Sequence, residues 1–463
     1  MKIILLGAGR VGESVAESLV SERNDITVVD TDPSRLVSLA ARFDLRTVTG
    51  NGIQPSVLRD AGAEDADLLI AVTARDETNL VACRIAAQSF NVPTRIARVR
   101  SAELLAARDL TGPDGFCVDH LICPEQTVCD TIARLIEFPE ALQVLEFAGG
   151  RVALIAVRAV AGGPLVSQPI RELAQHLPKV DTRIVAIFRN DAAIPVEGDT
   201  RIQPGDEVFF LAASGQIRTV MAELRKMDKP VRRVMIAGGG NIGLRLARAL
   251  GTDYQVKIIE ASRERCSYLS TQLPAATLVL QGDGTDEGLL VDENVDAMDL
   301  FVAVTSDDEN NIMSSLLAKR MGARRVIALI NRKAYADLMQ GSRIDIAIVP
   351  AQATIGELLT HVRRGDVARL HSLRRGAAEA LEFVAHGDPG SCRAIGRRIE
   401  AIGLPAGATI GALVRATPGG GSQVVIAHHD TVIEAEDHVI VFVANKALIP
   451  RVEKLFQVGV GFF

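Results

Sequence analysis

The chain has no tryptophan and only three tyrosines, and aromatic residues make up 4% of its 463 positions. Base-stacking platforms are hard to build from so few rings, which counts against a nucleic-acid partner. Positive charge is not in excess either. Lys and Arg number 51 against 57 Asp and Glu, a formal charge of -6, so no global positive field holds the chain on DNA or RNA. Six cysteines in this length do not form a disulfide framework, and a reducing cytosol is the expected setting. No run of roughly eighteen residues is apolar and uncharged, so no membrane span is expected. Ile3-Ile4-Leu5-Leu6 is too short an apolar run before Gly7 for a secretory leader. What remains is ordinary globular composition, 48% apolar and 23% charged, in a chain long enough for about three domains.

The sequence repeats itself. Gly7-Ala8-Gly9-Arg10-Val11-Gly12 returns 231 residues later as Gly238-Gly239-Gly240-Asn241-Ile242-Gly243. Asp30, closing the run Ile26-Thr27-Val28-Val29, returns as Glu260 closing Val256-Lys257-Ile258-Ile259. Gly50-Asn51-Gly52 matches Gly282-Asp283-Gly284, and Leu69-Ile70-Ala71-Val72-Thr73 matches Phe301-Val302-Ala303-Val304-Thr305. Far downstream, Asp199-Thr200-Arg201-Ile202 still pairs with Asp430-Thr431-Val432-Ile433. A near-constant offset at both ends means that a whole half is duplicated.

Each half divides again. Residues 1–138 and 231–366 alternate strands with helices, the pattern of a Rossmann-type parallel sheet. Residues 139–226 and 367–457 read as small α+β domains, with short strands such as 152–157, 183–188 and 206–211 between Gly-rich loops. The polar, proline-bearing stretch 226–233 reads as the linker. The fold class expected is therefore α/β, in two tandem modules.

In each Rossmann-type domain the glycine motif follows a strand and opens a helix. The first glycine makes the tight turn, the second lets the backbone approach a pyrophosphate, and the third permits close helix–strand packing. Asp30 and Glu260, at the tips of second strands, are placed to accept hydrogen bonds from adenosine ribose hydroxyls and to repel a 2′-phosphate. Thr73 and Ala74 follow the fourth strand, at the edge where ligands of open α/β sheets sit. Arg98 ends the fifth strand, where it could meet phosphate or pair with a surface carboxylate.

These residues, with Arg75-Asp76-Glu77-Thr78-Asn79 after Ala74, resemble the regulator-of-K⁺-conductance (RCK) module, a Rossmann domain followed by a small C-domain. Two modules in one chain resemble the regulatory subunits of Trk potassium-uptake systems, and the likeness covers essentially the whole sequence. It implies a cytosolic protein, peripheral on the cytoplasmic face of the inner membrane, that binds NAD(H), with ATP or ADP as further candidates. Its implied partner is a Trk-type membrane K⁺-translocating subunit. The implied nucleotide contacts fall on Gly7, Ala8, Gly9, Arg10, Val11, Gly12, Asp30, Thr73, Ala74 and Arg98. In the second half they fall on Gly238, Gly239, Gly240, Asn241, Ile242, Gly243, Glu260, Thr305 and Ser306. Asn241 and Ile330 stand where the first half has Arg10 and Arg98, so the second site lacks two phosphate cations.

The eight histidines sit in no hydrolase or zinc-protease motif, and what the two halves share is glycines and ribose acids. A sensor is thus expected rather than an enzyme, with a soluble NAD-dependent oxidoreductase as the alternative. Cys117, His120, Cys123 and Cys129 are spaced unlike a zinc knuckle and read as structural, with metal binding or redox chemistry as the other reading. His428 and His429 read as surface. The stretch 125–137, with Val128, Ile132, Leu135 and Ile136 on one side, is expected to be helical, as is 351–362, with Ile355, Leu358, Leu359 and Val362. Packing on the parent sheet is the simplest reading. The resemblance implies instead crossover helices against a neighbouring Rossmann domain, and hence a homo-oligomer, a dimer or tetramer.

Overall fold

A computed structural model of the chain describes all residues except 21–23, 191, 227–228, 340–342, 364–365, 374–377, 418 and 459–463. Two positions of the expected linker therefore lie outside the described residues. The architecture is α/β, two tandem modules each with a parallel and an antiparallel sheet. The first parallel sheet comprises β1 (Lys2–Leu6), β2 (Asp25–Asp30), β3 (Arg46–Thr49), β4 (Leu68–Ala71), β5 (Thr94–Arg98) and β6 (His120–Ile122), in the order β3-β2-β1-β4-β5-β6. β1 and β4 are covered on both faces, which is why they read as unbroken apolar runs rather than alternating ones. The strand order reverses between β1 and β4, so a crevice opens there at the carboxyl ends of the strands.

After the helix Pro124–Glu137 the chain enters an antiparallel sheet. It is built from β7 (Ala141–Phe147), β8 (Val152–Arg158), β9 (Thr182–Arg189), β10 (Ala192–Ile194) and β11 (Glu207–Ala213), ordered β10-β9-β11-β8-β7. The second module repeats both sheets. Its parallel sheet has β12 (Arg233–Ala237), β13 (Gln255–Glu260), β14 (Leu278–Gln281), β15 (Leu300–Ala303), β16 (Val326–Leu329) and β17 (Ile346–Ile348), ordered β14-β13-β12-β15-β16-β17. The helix Pro350–Thr360 then leads to β18 (Val367–Leu373), β19 (Ala378–Val384), β20 (Ala408–Ala416), β21 (Ser422–Ile426) and β22 (His438–Val443), ordered β18-β19-β22-β20-β21.

The two modules exchange their connecting helices. Val128, Ile132, Leu135 and Ile136 of helix 124–137 are buried in one core with Leu244, Ala247 and Leu250 from the second module. In return, Ile355, Leu358, Leu359 and Val362 are buried with Val15, Ala16 and Leu19 from the first. The neighbour that covers each crossover helix is thus the other half of the same chain. This corrects the step from these helices to a homo-oligomer: duplication supplies the partner in cis, and joining further copies requires other surfaces.

Polar contacts reinforce the exchange. Arg325 donates to the carbonyls of Pro139 and Ala141, just past the first crossover helix. Arg245 donates to Gln126 at 2.8 Å. His120 of β6 stacks on His361, ring centroids 3.6 Å apart, and desolvation pushes His361 down to about 4, so the pair rests as neutral imidazoles at neutral pH. The small-domain sheets share a core as well, with Phe209 and Leu211 buried alongside Ala412, Val414 and Phe442. No helix among the described residues is long and apolar enough to cross a membrane.

Candidate nucleotide site at the module junction

Gly7 leaves β1 at φ 105°, a conformation that glycine adopts at little cost, and its amide donates to the Val29 carbonyl at 2.8 Å. Gly12 lies on the first turn of helix Arg10–Val20, where a Cβ would sit 1.8 Å from the Gly7 oxygen. Between them Gly9 faces open space, the nearest atom to a Cβ there being an Arg35 nitrogen at 4.0 Å. The glycine motif therefore divides its work: Gly7 and Gly12 close the turn, and Gly9 keeps the approach to the helix N-terminus clear.

Asp30 braces this turn from β2. One carboxylate oxygen accepts from the Ala8 amide at 2.6 Å and the other from the Asp32 amide at 2.9 Å. Each oxygen has a second lone pair, so ribose hydroxyls can still be accepted. Thr73 is held on the far side by Asn79, a fully buried side chain. Asn79 accepts from the Thr73 amide at 2.9 Å and from its hydroxyl at 2.7 Å, and donates to the Arg98 carbonyl at 2.9 Å. The carboxyl ends of β4 and β5 are thereby locked together. Asn311 makes the same bonds to Thr305 and Leu329. Sequence reasoning gave neither asparagine a role, although a Thr and an Asn six residues apart recur in both halves.

A cavity of ≈ 670 Å³ opens above these elements, within the usual size of small-molecule sites. Of the expected residues, Gly7, Gly9, Arg10, Val11, Asp30, Thr73, Ala74 and Arg98 line it, whereas Ala8 and Gly12 stand behind the turn as its frame. Two further cations line it that the sequence reading did not place, Arg35 and Arg75. Arg98 is not a free phosphate ligand: it pairs with Glu125 at 2.6 Å, both side chains largely buried. A phosphate reaching it must compete with that carboxylate.

The matching of the sequence against family models agrees with this geometry. Residues 3–124 and 234–350 match the TrkA-N domain, and 154–225 match the TrkA-C domain. The Trk system potassium uptake protein TrkA of Halomonas elongata is 57% identical over 463 residues, all of either chain. The chain belongs to the TrkA family. The protein of the same name from Vibrio alginolyticus is 53% identical, with 99% of each chain covered. Among solved structures, the GsuK RCK domain superposes with a TM-score of 0.61 at 16% identity, covering 98% of this chain and 94% of its own. A GsuK channel bound to NAD gives 0.61 at 15% identity, with 98% and 78% covered. At such identity these likenesses speak for the fold, the tandem RCK arrangement.

The second TrkA-N domain keeps the frame of the first and changes its electrostatics. Gly238 turns at φ 110°, and a Cβ on Gly243 would lie 2.0 Å from the Gly238 oxygen. Gly239 donates to Glu260 at 2.8 Å, as Ala8 does to Asp30. A Cβ there, such as Ala8 carries in the first half, would come within 2.4 Å of the Leu269 side-chain end and 3.2 Å of the Glu260 Cβ, so Leu269 would have to shift. Gly240 faces open space, Asn241 begins the helix, and Ser306 is exposed. Ile242 faces the first cavity.

The cations differ between the sites. Four arginines line the first cavity against Asp30 and Glu125. At the matching positions stand Asn241, Arg265, Asp307 and Leu329, with Glu260 and Asp283 as further acids. In strand register Arg98 answers to Leu329 rather than to Ile330, which answers to Val99, so the expected counterpart shifts by one residue and the cation is still missing. Arg265, moreover, is spent on the Gly239 carbonyl at 2.7 Å. A dianionic pyrophosphate should therefore favour the first site by roughly tenfold or more, since charged hydrogen bonds are the stronger class. Calorimetric titration with NADH checks this, and two identical sites per chain would contradict it.

No cysteine is among the described residues that line the cavity, although the Cys123 thiol lies 3.8 Å from the Glu125 carboxylate and the Cys266 thiol 3.3 Å from the Glu260 carbonyl. Cys129 points its thiol at the Ile242 carbonyl at 3.4 Å, and burial pushes its pKa up to about 12. Cys117 lies against Arg84 instead. Among the described residues no group of three or more His, Cys, Asp or Glu is placed to hold a metal ion.

Proposed function

We propose that the chain is a nucleotide-sensing cytosolic regulatory subunit of a K⁺-uptake system. It binds NAD(H), with ATP or ADP as further ligands, and gates a membrane translocating subunit from the cytoplasmic face of the inner membrane. The four domains of this reading are 1–138, 139–226, 231–366 and 367–457. The observation that carries it is the composition of the cavity wall: Leu329, Asn331, Ile242 and Pro350 of the second module complete a cavity otherwise built from the first. A ligand there touches both modules, so its affinity depends on the angle between them. A ligand shifts such an equilibrium only by its differential affinity for the two states, and a coupling of about 1–3 kcal/mol is typical.

Sensing rather than hydride transfer is favoured by the same wall. The described residues that line the cavity include no His, Lys, Cys or Tyr, and Glu125, the carboxylate nearest the far end, is held by Arg98. The test is K⁺ flux through the reconstituted membrane partner, with and without this protein, as NADH, ATP and ADP are varied. The expected result is flux that depends on nucleotide only when the protein is present. Flux indifferent to nucleotide, or NADH consumed with a small substrate, would reopen the oxidoreductase reading.

A further inference from the structure

The first cavity has two unlike ends. Its near end belongs wholly to the first module, with Asp30 and Thr31 closing β2 and Arg35 and Asn51 beside them. Its far end, beyond the glycine turn and above β4 and β5, is walled by Arg98 and Glu125 on one side and by the second module on the other. A nucleotide whose ribose sits on Asp30 and whose phosphates sit at the N-terminus of helix Arg10–Val20 runs across the sheet from β2 towards β5. Whatever extends past the pyrophosphate therefore enters the half of the cavity that the second module closes.

The chemistry of that wall is specific. Ile242, Leu329 and Pro350 are apolar and suit one face of a flat ring. Asn331 is the polar residue among the four. Its backbone amide and one side-chain amide hydrogen both go to Asp308, each at 2.8 Å, which fixes the side chain. Asp308 is itself buried, 3% exposed, and takes the Arg332 amide at 2.9 Å. What Asn331 has left to offer is its carbonyl oxygen, an acceptor, and a second amide hydrogen, a donor. A primary carboxamide is the complement of that pair.

Building on the proposed function, we infer that the second module reads the distal half of the ligand, Asn331 pairing with a ring carboxamide against the apolar wall of Ile242, Leu329 and Pro350. Dinucleotides are thereby separated from adenine diphosphates, which end at the glycine turn. NADH reaches across the module junction and ADP does not, so the two ligands load the same glycine turn with different consequences for the inter-module angle.

The experiment compares NADH and ADP binding to the full-length protein, wild type against Asn331→Ala, with Ile242→Ala as a second variant. Loss of one neutral hydrogen-bonded contact corresponds to about fivefold. The expected result is NADH affinity lowered about fivefold in either variant, with ADP affinity unchanged. The unchanged ADP binding shows in the same sample that the first module is folded. Equal loss for both ligands, or no loss for either, would overturn the inference while leaving nucleotide sensing intact. Wild-type protein that binds neither ligand would instead overturn the function on which the inference rests.

Discussion

Replacing Asp30 with alanine should weaken NAD(H) binding at the first site ten- to a hundredfold, about 1.5–3 kcal/mol for hydrogen bonds to a charged acceptor. The sequence reading expects this carboxylate to act on ribose alone. The structure gives it a second task, because it also accepts from the Ala8 and Asp32 amides and so shapes the turn that faces the phosphates. Asp30→Ala should therefore weaken ADP as well as NADH. Asp30→Asn retains one acceptor oxygen and should recover part of the loss. Fluorescence titration with NADH and calorimetry with ADP measure both, and affinities unchanged in Asp30→Ala would remove the ribose assignment.

A larger effect is expected at Gly12. A Cβ 1.8 Å from a backbone oxygen cannot be relieved by a side-chain rotation, so Gly12→Ala forces helix Arg10–Val20 away from β1. Overpacking of this kind costs about 1–3 kcal/mol, and more where backbone must move. Gly12→Ala should lower the melting temperature and abolish binding at the first site together. Gly9→Ala separates the two effects. Its Cβ meets only a distant arginine nitrogen, so stability should hold while the added methyl stands in the path of the phosphates. A stable, tightly binding Gly9→Ala protein would show that the phosphates lie elsewhere.

The contrast between these two glycines also marks what could be read in advance. The glycine turns, the strand-tip acids and the duplication were readable because each leaves a fixed spacing, set by backbone geometry. β7 lies outside the strands expected in the first small domain because it carries a register irregularity near its start, between Ala141 and Gln143. Its buried positions then recur every third residue, Ala141, Val144 and Phe147, and the alternation that marks a strand is lost; β18 shows the same irregularity between Val367 and Arg369. The helix 124–137 shows its apolar face in the sequence, but nothing in that face says which Rossmann domain will cover it. Arg35 reaches the cavity from the first turn of helix Pro33–Ala40 and Arg75 from the residue that caps helix Asp76–Phe90, and no local pattern distinguishes them from the many exposed arginines. Arg98 ends β5 as its sequence context predicts, yet its bond to Glu125 joins residues 27 apart in sequence.

The exchange of helices within one chain has an evolutionary consequence. Where two identical copies of a single module pair, every substitution appears twice, and a cation cannot be lost from one cleft without being lost from its mate. Fusion of the copies removes that constraint. With each half guaranteed its neighbour by the peptide bond, Arg75 and its counterpart Asp307 can differ, and Asn331 can serve the other half's cleft. The two halves of one chain are thus free of the symmetry that binds identical copies, and the cleft of one is walled by residues that the other need not match.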